Sequence, residues 1–334
     1  MTGKERVYRT IDFASPDRIP VDIWPLPAAY KFFGETLTDM ITEREMDILI
    51  VPLFDPTKDL HQYDLGIHVD CWGCEWHNHQ EGITGETKAW PLDGLDVGGI
   101  LKYKPPTYLL HEYRREIAES AKTFVDANSD RFLLAGWSGL FERMQYLRGI
   151  ENLFCDIAYE SDEFFRIRDI VFEYSMEYFS IVSAIDGVDG CIIADDWGTQ
   201  ISMLISPESW RRLFKPCYKQ MIDLIKSNGK RVFFHSDGNI LDIYNDFIEL
   251  GVSAIWSQVW CMGLPEVAEL TKSGITMWGE LDRQKKLPGG TPDDVQHMID
   301  EMKLHFWNGG GLIGMFEVNV DVPIENVRTG LFGW

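Results

Sequence analysis

Gly190–Asp195 reads GCIIAD, and the way this run is built decides the fold. Small and apolar residues follow one another without a polar break, and the run stops at a carboxylate. A strand with one wet face alternates apolar with polar; an unbroken apolar run of this length is expected where both faces are buried, as in a parallel sheet. The same construction recurs at Asp47–Leu53 (DILIVPL), Arg131–Gly136 (RFLLAG), Arg231–His235 (RVFFH), Ser253–Gln258 (SAIWSQ), Ile275–Glu280 (ITMWGE) and Gly311–Glu317 (GLIGMFE).

Helical patterns fill the spaces between these runs. Phe164–Ile185 is long and amphipathic, and Leu241–Leu250 is stopped by Gly251. Met262–Ser273 has Gly274 beyond its end, and Ser206-Pro207-Glu208 and Thr291-Pro292-Asp293 each join an N-cap to a proline at the first helical position. Strand and helix in alternation imply right-handed crossovers and a parallel sheet. No glycine fingerprint of an open dinucleotide-binding sheet follows the first run. Seven or eight such strands favour a closed α/β barrel. The expectation is a single (β/α)8 TIM barrel over residues 1–334, with residues 1–110 as an N-terminal extension of helices and a hairpin that wraps it.

Composition narrows the function. The 334 residues carry 31 basic and 53 acidic side chains, a net charge of −22. That surface repels phosphate backbones and anionic lipid, so neither nucleic acid nor membrane is an expected partner. The sequence opens without an apolar signal-like stretch and holds no long apolar run. Its six cysteines are scattered, which suits a reducing compartment; a cytoplasmic location is expected. Cys71 and Cys74 form a lone CxxC and are read as ordinary thiols. His77 and His79, in the Trp-rich stretch Asp70–Glu86, are read as solvated histidines of a hairpin over the barrel mouth.

Polar residues cluster at the strand ends: Asp195-Asp196-Trp197, His235-Ser236-Asp237, Gln258, Glu280 and Glu317. In a barrel of this kind such positions converge on one face. Any one of them could be a cap or a turn residue; five strands ending alike point to a site. His235 and Asp237 share a strand face by period-2 geometry. They could bind Zn2+ with Glu317 from a neighbouring strand, or Asp237 could simply orient His235 without metal. Trp72, Trp137 and Trp197 are candidates for an aromatic-lined pocket, with Gln258 and Glu280 as further substrate-binding residues; Trp256 is read first as core packing.

These motifs resemble the uroporphyrinogen decarboxylase superfamily, which includes cobalamin-linked methyltransferases. The resemblance rests on six segments in order: Pro16-Asp17-Arg18-Ile19-Pro20-Val21, Asp195–Gln200 followed by Ser206-Pro207-Glu208, His235–Asn239, Trp278–Asp282, Gly290-Thr291-Pro292 and Val322–Asn326. It implies a (β/α)8 barrel. The Arg-rich N-terminal motif of true decarboxylases is missing; Val21–Pro27 reads VDIWPLP, which removes the charge partners of a polycarboxylate substrate. The methyltransferase branch implies catalytic zinc. Its pattern of His and two Cys departs here to His235, Asp237 and Glu317, a harder set suited to polarising an oxygen rather than a thiol.

The resemblance therefore implies a zinc-dependent methyltransferase that moves a methyl group from an O-methyl (methoxylated) small molecule to a corrinoid on a partner protein. Asp195 or Asp196 is expected to protonate the leaving oxygen or bind substrate. The alternative is a metal-free decarboxylase or other lyase acting on a different small acid; a non-catalytic binder on the same barrel is the third reading. A homodimer is compatible with the sequence.

Overall fold

The computed structural model describes residues 1–272 and 274–334. Ser273, the last residue of the helix expected over Met262–Ser273, lies outside the described residues. The strands, in chain order, are β1 (Trp24–Pro25), β2 (Ile48–Ile50), β3 (Gly66–Val69), β4 (Glu75–Asn78), β5 (Glu86–Ala89), β6 (Phe132–Ser138), β7 (Gly190–Ala194), β8 (Arg231–Ser236), β9 (Ala254–Ser257), β10 (Thr276–Trp278), β11 (Leu312–Ile313) and β12 (Glu317–Val318). Each of the seven apolar runs contributes to a strand. Seven strands form one sheet in the order β11-β10-β9-β8-β7-β6-β2, all parallel.

The sheet is curled like a barrel wall, and two distinct cores explain why its strands do not alternate. Ile48, Phe132, Leu134, Ile192, Phe233, Ala254, Trp256, Trp278, Ile313 and Met315 pack together inside the curl. Their strand neighbours Leu133, Cys191, Ile193, Val232, Phe234 and Ile255 belong to the outer core, where helices such as Asp162–Val182 and Lys215–Ser227 cover the sheet. The inner core is plugged from the N-terminal side by Val7 and Ile11 of the helix Gly3–Ile11.

The gap between β11 and β2 is crossed by Pro20–Leu26. The Asp22, Trp24 and Leu26 N–H groups donate to the carbonyls of Gly314, Phe316 and Val318 at 2.8, 3.0 and 2.9 Å. Toward β2 the bonding is sparser, with Asp47 N donating to Val21 O at 3.3 Å. The three residues facing that way cannot build a ladder. Val21 N donates to the Asp47 carboxylate at 3.0 Å and Ile23 N to the Asp22 carboxylate at 2.9 Å, while Pro25 has no N–H. What is seen is therefore seven regular strands in one sheet plus the short pair β1–β12.

Residues 1–110 are not an appendage wrapped around a finished barrel. They supply β2, which pairs with β6, and the crossing segment Pro20–Leu26. The expected hairpin is a three-stranded antiparallel sheet, β3-β4-β5, inserted after β2. The helix starts follow the capping signals: Ser206 accepts from Ser209 N, and Thr291 forms a capping box with Asp294. Leu241–Leu250 begins as a 3-10 turn and ends at Gly251 in the left-handed conformation. Among the described residues no helix is long and apolar enough to cross a membrane.

Candidate active site

Strand parity decides which polar residues enter the mouth. Ile192 and Phe233 face the inner core, so Asp196, His235 and Asp237 share their side of the chain. His235 Nε2 lies 3.5 Å from Asp196 Oδ1 and 3.8 Å from Asp237 Oδ1. One donor atom from each of the three residues falls within 4.8 Å of the others. Asp237 N donates to Asp196 Oδ1 at 2.8 Å and locks the two strand ends together. His235 Nδ1 and Asp237 Oδ1 are buried and have no hydrogen-bond partner among the described residues.

Arg283 stands on the other side of Asp237. Its guanidinium pairs with Asp237 Oδ2, sits 3.2 Å from Glu280 Oε1 and donates to Glu317 Oε2 at 2.6 Å. Glu280 is buried and also accepts from Trp256 Nε1. Burial pushes its carboxyl up to about 8, against the pull of Arg283. Burial also raises Glu317, opposed by Arg283, and Asp196, opposed by His235 and reinforced by Asp237. Glu142 follows the end of β6. Burial holds its carboxyl well above the usual range, helped by the charges of Asp196 and Asp195, although it accepts a 2.9 Å bond from Tyr146 Oη.

Indoles form the wall beside His235. Trp137 and Trp24 stack with centroids 5.0 Å apart, and the His235 ring lies 5.4 Å from Trp137 and 4.1 Å from Trp256.

A sequence profile described as Uroporphyrinogen decarboxylase (URO-D) matches residues 96–330. The chain belongs to the uroporphyrinogen decarboxylase family. Among solved structures, a methyltransferase from Methanosarcina mazei superposes with a TM-score of 0.75 at 16% identity, covering 100% of this chain and 98% of that one. A 3-keto-D-glucoside 4-epimerase from E. coli reaches only 0.39 at 13% identity, over 67% of this chain and 85% of that one. The first likeness shows a shared fold. No curated protein matches the sequence.

Within this family framework several expected site residues move. Asp195 has the outward parity of Cys191 and Ile193. It is fully buried and accepts from Leu140 N, from Glu142 N at 2.9 Å and from Tyr218 Oη at 2.6 Å. It anchors the start of the helix Phe141–Arg148 and offers nothing to the mouth. Trp197 is also core: it stacks on Phe141 and donates to Tyr218 Oη at 2.9 Å. Trp72, in the turn between β3 and β4, is buried against Tyr174 and the Arg143 guanidinium. Gln258 is buried, accepting from Gly238 N at 3.3 Å and from Gln200. Glu317 does not join His235 and Asp237 as the third donor; Arg283 takes it, and Asp196 stands in the third place. Trp137 and Glu280 do belong to the mouth.

Arg283, Glu142 and Trp24 were not expected. Arg283 lies in the loop after β10 and Glu142 in a helix after β6, so no strand-end rule reaches them. Trp24 opens β1, whose sequence is interrupted by prolines. Cys71 and Cys74 are free thiols, each pushed up to about 12 by burial. His77 pairs with Glu75 at 2.8 Å.

Proposed function

We propose that this family member is a methyltransferase that moves a methyl group from an O-methyl (methoxylated) small molecule to a corrinoid carried by a partner protein, with a zinc ion held by Asp196, His235 and Asp237. The observation that carries the reading is the spacing of those three donor atoms. At 3.5 and 3.8 Å they are too far apart to hydrogen-bond well. Bonds of about 2.0–2.1 Å at tetrahedral angles put ligand atoms roughly 3.3 Å apart, close to what is seen. The partnerless Asp237 Oδ1 is a second mark of fit, since a buried carboxylate oxygen normally has a donor.

One nitrogen and two oxygens suit an ion that would polarise the ether oxygen as a Lewis acid. The chain's own residues do the rest. Arg283 grips Asp237 by its second oxygen and so fixes the direction of the first. Glu142, whose carboxyl is raised well above the usual range by burial and by its carboxylate neighbours, is the group suited to give a proton to the leaving oxygen. That role passes to it because Asp195 is enclosed and Asp196 is a ligand. The indole wall positions the rest of the substrate. The carboxy-lyase alternative draws less support, because the Arg283 guanidinium that could hold a substrate carboxylate is already shared by three acids.

Metal content tests the reading. Purified protein is expected to hold one zinc per chain, and His235→Ala and Asp196→Asn are expected to lose it while unfolding close to the denaturant midpoint of the metal-free wild type. Glu317→Gln is expected to keep it. Zinc retained in Asp196→Asn and lost in Glu317→Gln would overturn the donor set; no metal in the wild type after zinc reconstitution would overturn the function.

A further inference from the structure

The inserted sheet β3-β4-β5 has two edges, and they are built differently. β5 carries Glu86 and Lys88, paired at 2.6 Å, and its register against β4 slips between Glu75 and Trp76. Charge and irregularity of this kind keep other strands away. β3 lacks these guards: Gly66–Val69 holds no lysine, no proline and no carboxylate. Asp70 N donates to Cys74 O at 3.0 Å, which fixes the alternation of the β3–β4 ladder. Gly66 and His68 turn their backbone groups to β4. Ile67 and Val69 turn theirs to the open edge, where no backbone partner meets them among the described residues.

The side chains of the same residues are apolar and face water. Ile67 is 67% exposed and Val69 62%, and Leu65, two residues earlier, is 67% exposed. On the opposite face His68 bonds to Asp59 at 2.5 Å and stacks on Trp76, so the strand is held in place from beneath. Across the ladder Ile67 lies beside His77 and Val69 beside Glu75, and those two partners pair with each other at 2.8 Å. The outer face of this sheet is therefore polar on β4 and apolar along the edge strand. An apolar row joined to unmet backbone donors and acceptors marks a place where another strand adds.

We propose that β3 pairs antiparallel with β3 of a second copy of this chain, about a two-fold axis that joins the two three-stranded sheets into one of six. A strand edge is complementary to itself under such an axis. The row Leu65, Ile67, Val69 recurs at every second residue, so apolar side chains meet apolar ones and form a stripe two strands wide between polar flanks. Charge favours the same contact. At −22 the chain repels its copy over most of its surface, and a close approach needs a segment without carboxylates. The acids that border β3 lie off the row, each against an imidazole: Asp59 on His68, Asp64 on His61 and Glu75 on His77. With Leu60, 81% exposed in the turn before the strand, the apolar residues of this edge present on the order of 500 Å² per copy, and two copies reach the roughly 1,000 Å² that a specific interface needs. The pairing depends neither on zinc nor on methyl transfer.

Sedimentation equilibrium of the full chain tests it. The wild type is expected at twice the 38.5 kDa of one chain. Ile67→Lys puts a charge into the row, and Val69→Pro removes an N–H from the open edge while leaving the β3–β4 ladder intact; each is expected to halve the mass. Hydrogen exchange on the unaltered chain gives a second readout that needs no variant: the Ile67 and Val69 amides are expected to be protected in the dimer and to exchange faster as dilution dissociates it. A monomeric wild type overturns the proposal. So does a dimer that survives either substitution, or one that leaves those two amides unprotected.

Discussion

Asp195→Asn separates a structural carboxylate from a catalytic one. The substitution preserves shape but replaces one acceptor oxygen by an NH2 group. In the better of its two orientations the amide oxygen keeps the Leu140 N–H and the Tyr218 hydroxyl, and the NH2 is turned against the Glu142 N–H. One buried donor then faces another donor, at a cost of about 1–3 kcal/mol. The two remaining bonds lose their charge assistance as well. The sum is a loss of about 2–4 kcal/mol. Urea unfolding at pH 8 reads it as a lower midpoint at unchanged slope. Burial raises the Asp195 carboxyl to about 6, so from pH 8 to pH 5 the wild type gains stability by taking up a proton that the asparagine cannot, and the difference between the two proteins widens. Zinc content is expected to stay at the wild-type level. A variant as stable as the wild type at pH 8, yet without turnover, would refute the anchor and return Asp195 to the chemistry.

Four further outcomes follow from the same geometry. Asp22 is raised by burial to about 7, Asp195 to about 6 and Glu280 to about 8. Their native carboxyls hold protons that the unfolded chain has already released, so the stability they contribute is complete below about pH 4 and is lost as pH rises through about 6–8. Denaturation series from pH 5 to 8.5 should show stability falling, and Asp22→Asn should flatten part of the slope. Arg283→Met leaves Asp237, Glu280 and Glu317 facing one another and should cost about 3–5 kcal/mol, read by urea unfolding. Trp197→Ala opens a void among Phe141, Phe214 and Trp210 and should cost about 3–5 kcal/mol, read by urea unfolding, without changing zinc content. Asp237→Cys should still bind zinc, since a thiolate is as good a ligand, and cobalt substitution would show the sulfur-to-metal charge-transfer band.

How far the sequence could be read depended on whether a residue's place follows from its own strand. Cys191-Ile192-Ile193 is apolar at every position because the outer core takes Cys191 and Ile193 and the inner core takes Ile192. That double burial needs no knowledge of the rest of the chain, and so all seven runs are strands. Pro20–Leu26 does not read as a strand because it crosses the sheet gap with two prolines and a carboxylate in place of an apolar run, its N–H groups on one side being met by side chains. The choice between Asp195 and Asp196 was open to the same reasoning. Counting by twos from His235 through Asp237 fixes the mouth side of β8, and the β7–β8 register sets Ala194 beside His235. Asp196 then stands level with Asp237, and Asp195 is turned to the helices. Register, however, is a property of two strands, and nothing in either strand alone states it. Arg283 lies a further step out of reach. It belongs to a loop whose course is set after β10, and its place follows from three carboxylates delivered by β8, β10 and β12 that would repel one another without it. Those acids are spaced along 80 residues of sequence and meet only when the sheet curls, so the need for a cation at their centre becomes visible only in three dimensions. The same curvature exchanges Glu317 for Asp196 as the third donor: Arg283 can satisfy Glu317 or leave it free, and the 2.6 Å bond shows that it satisfies it.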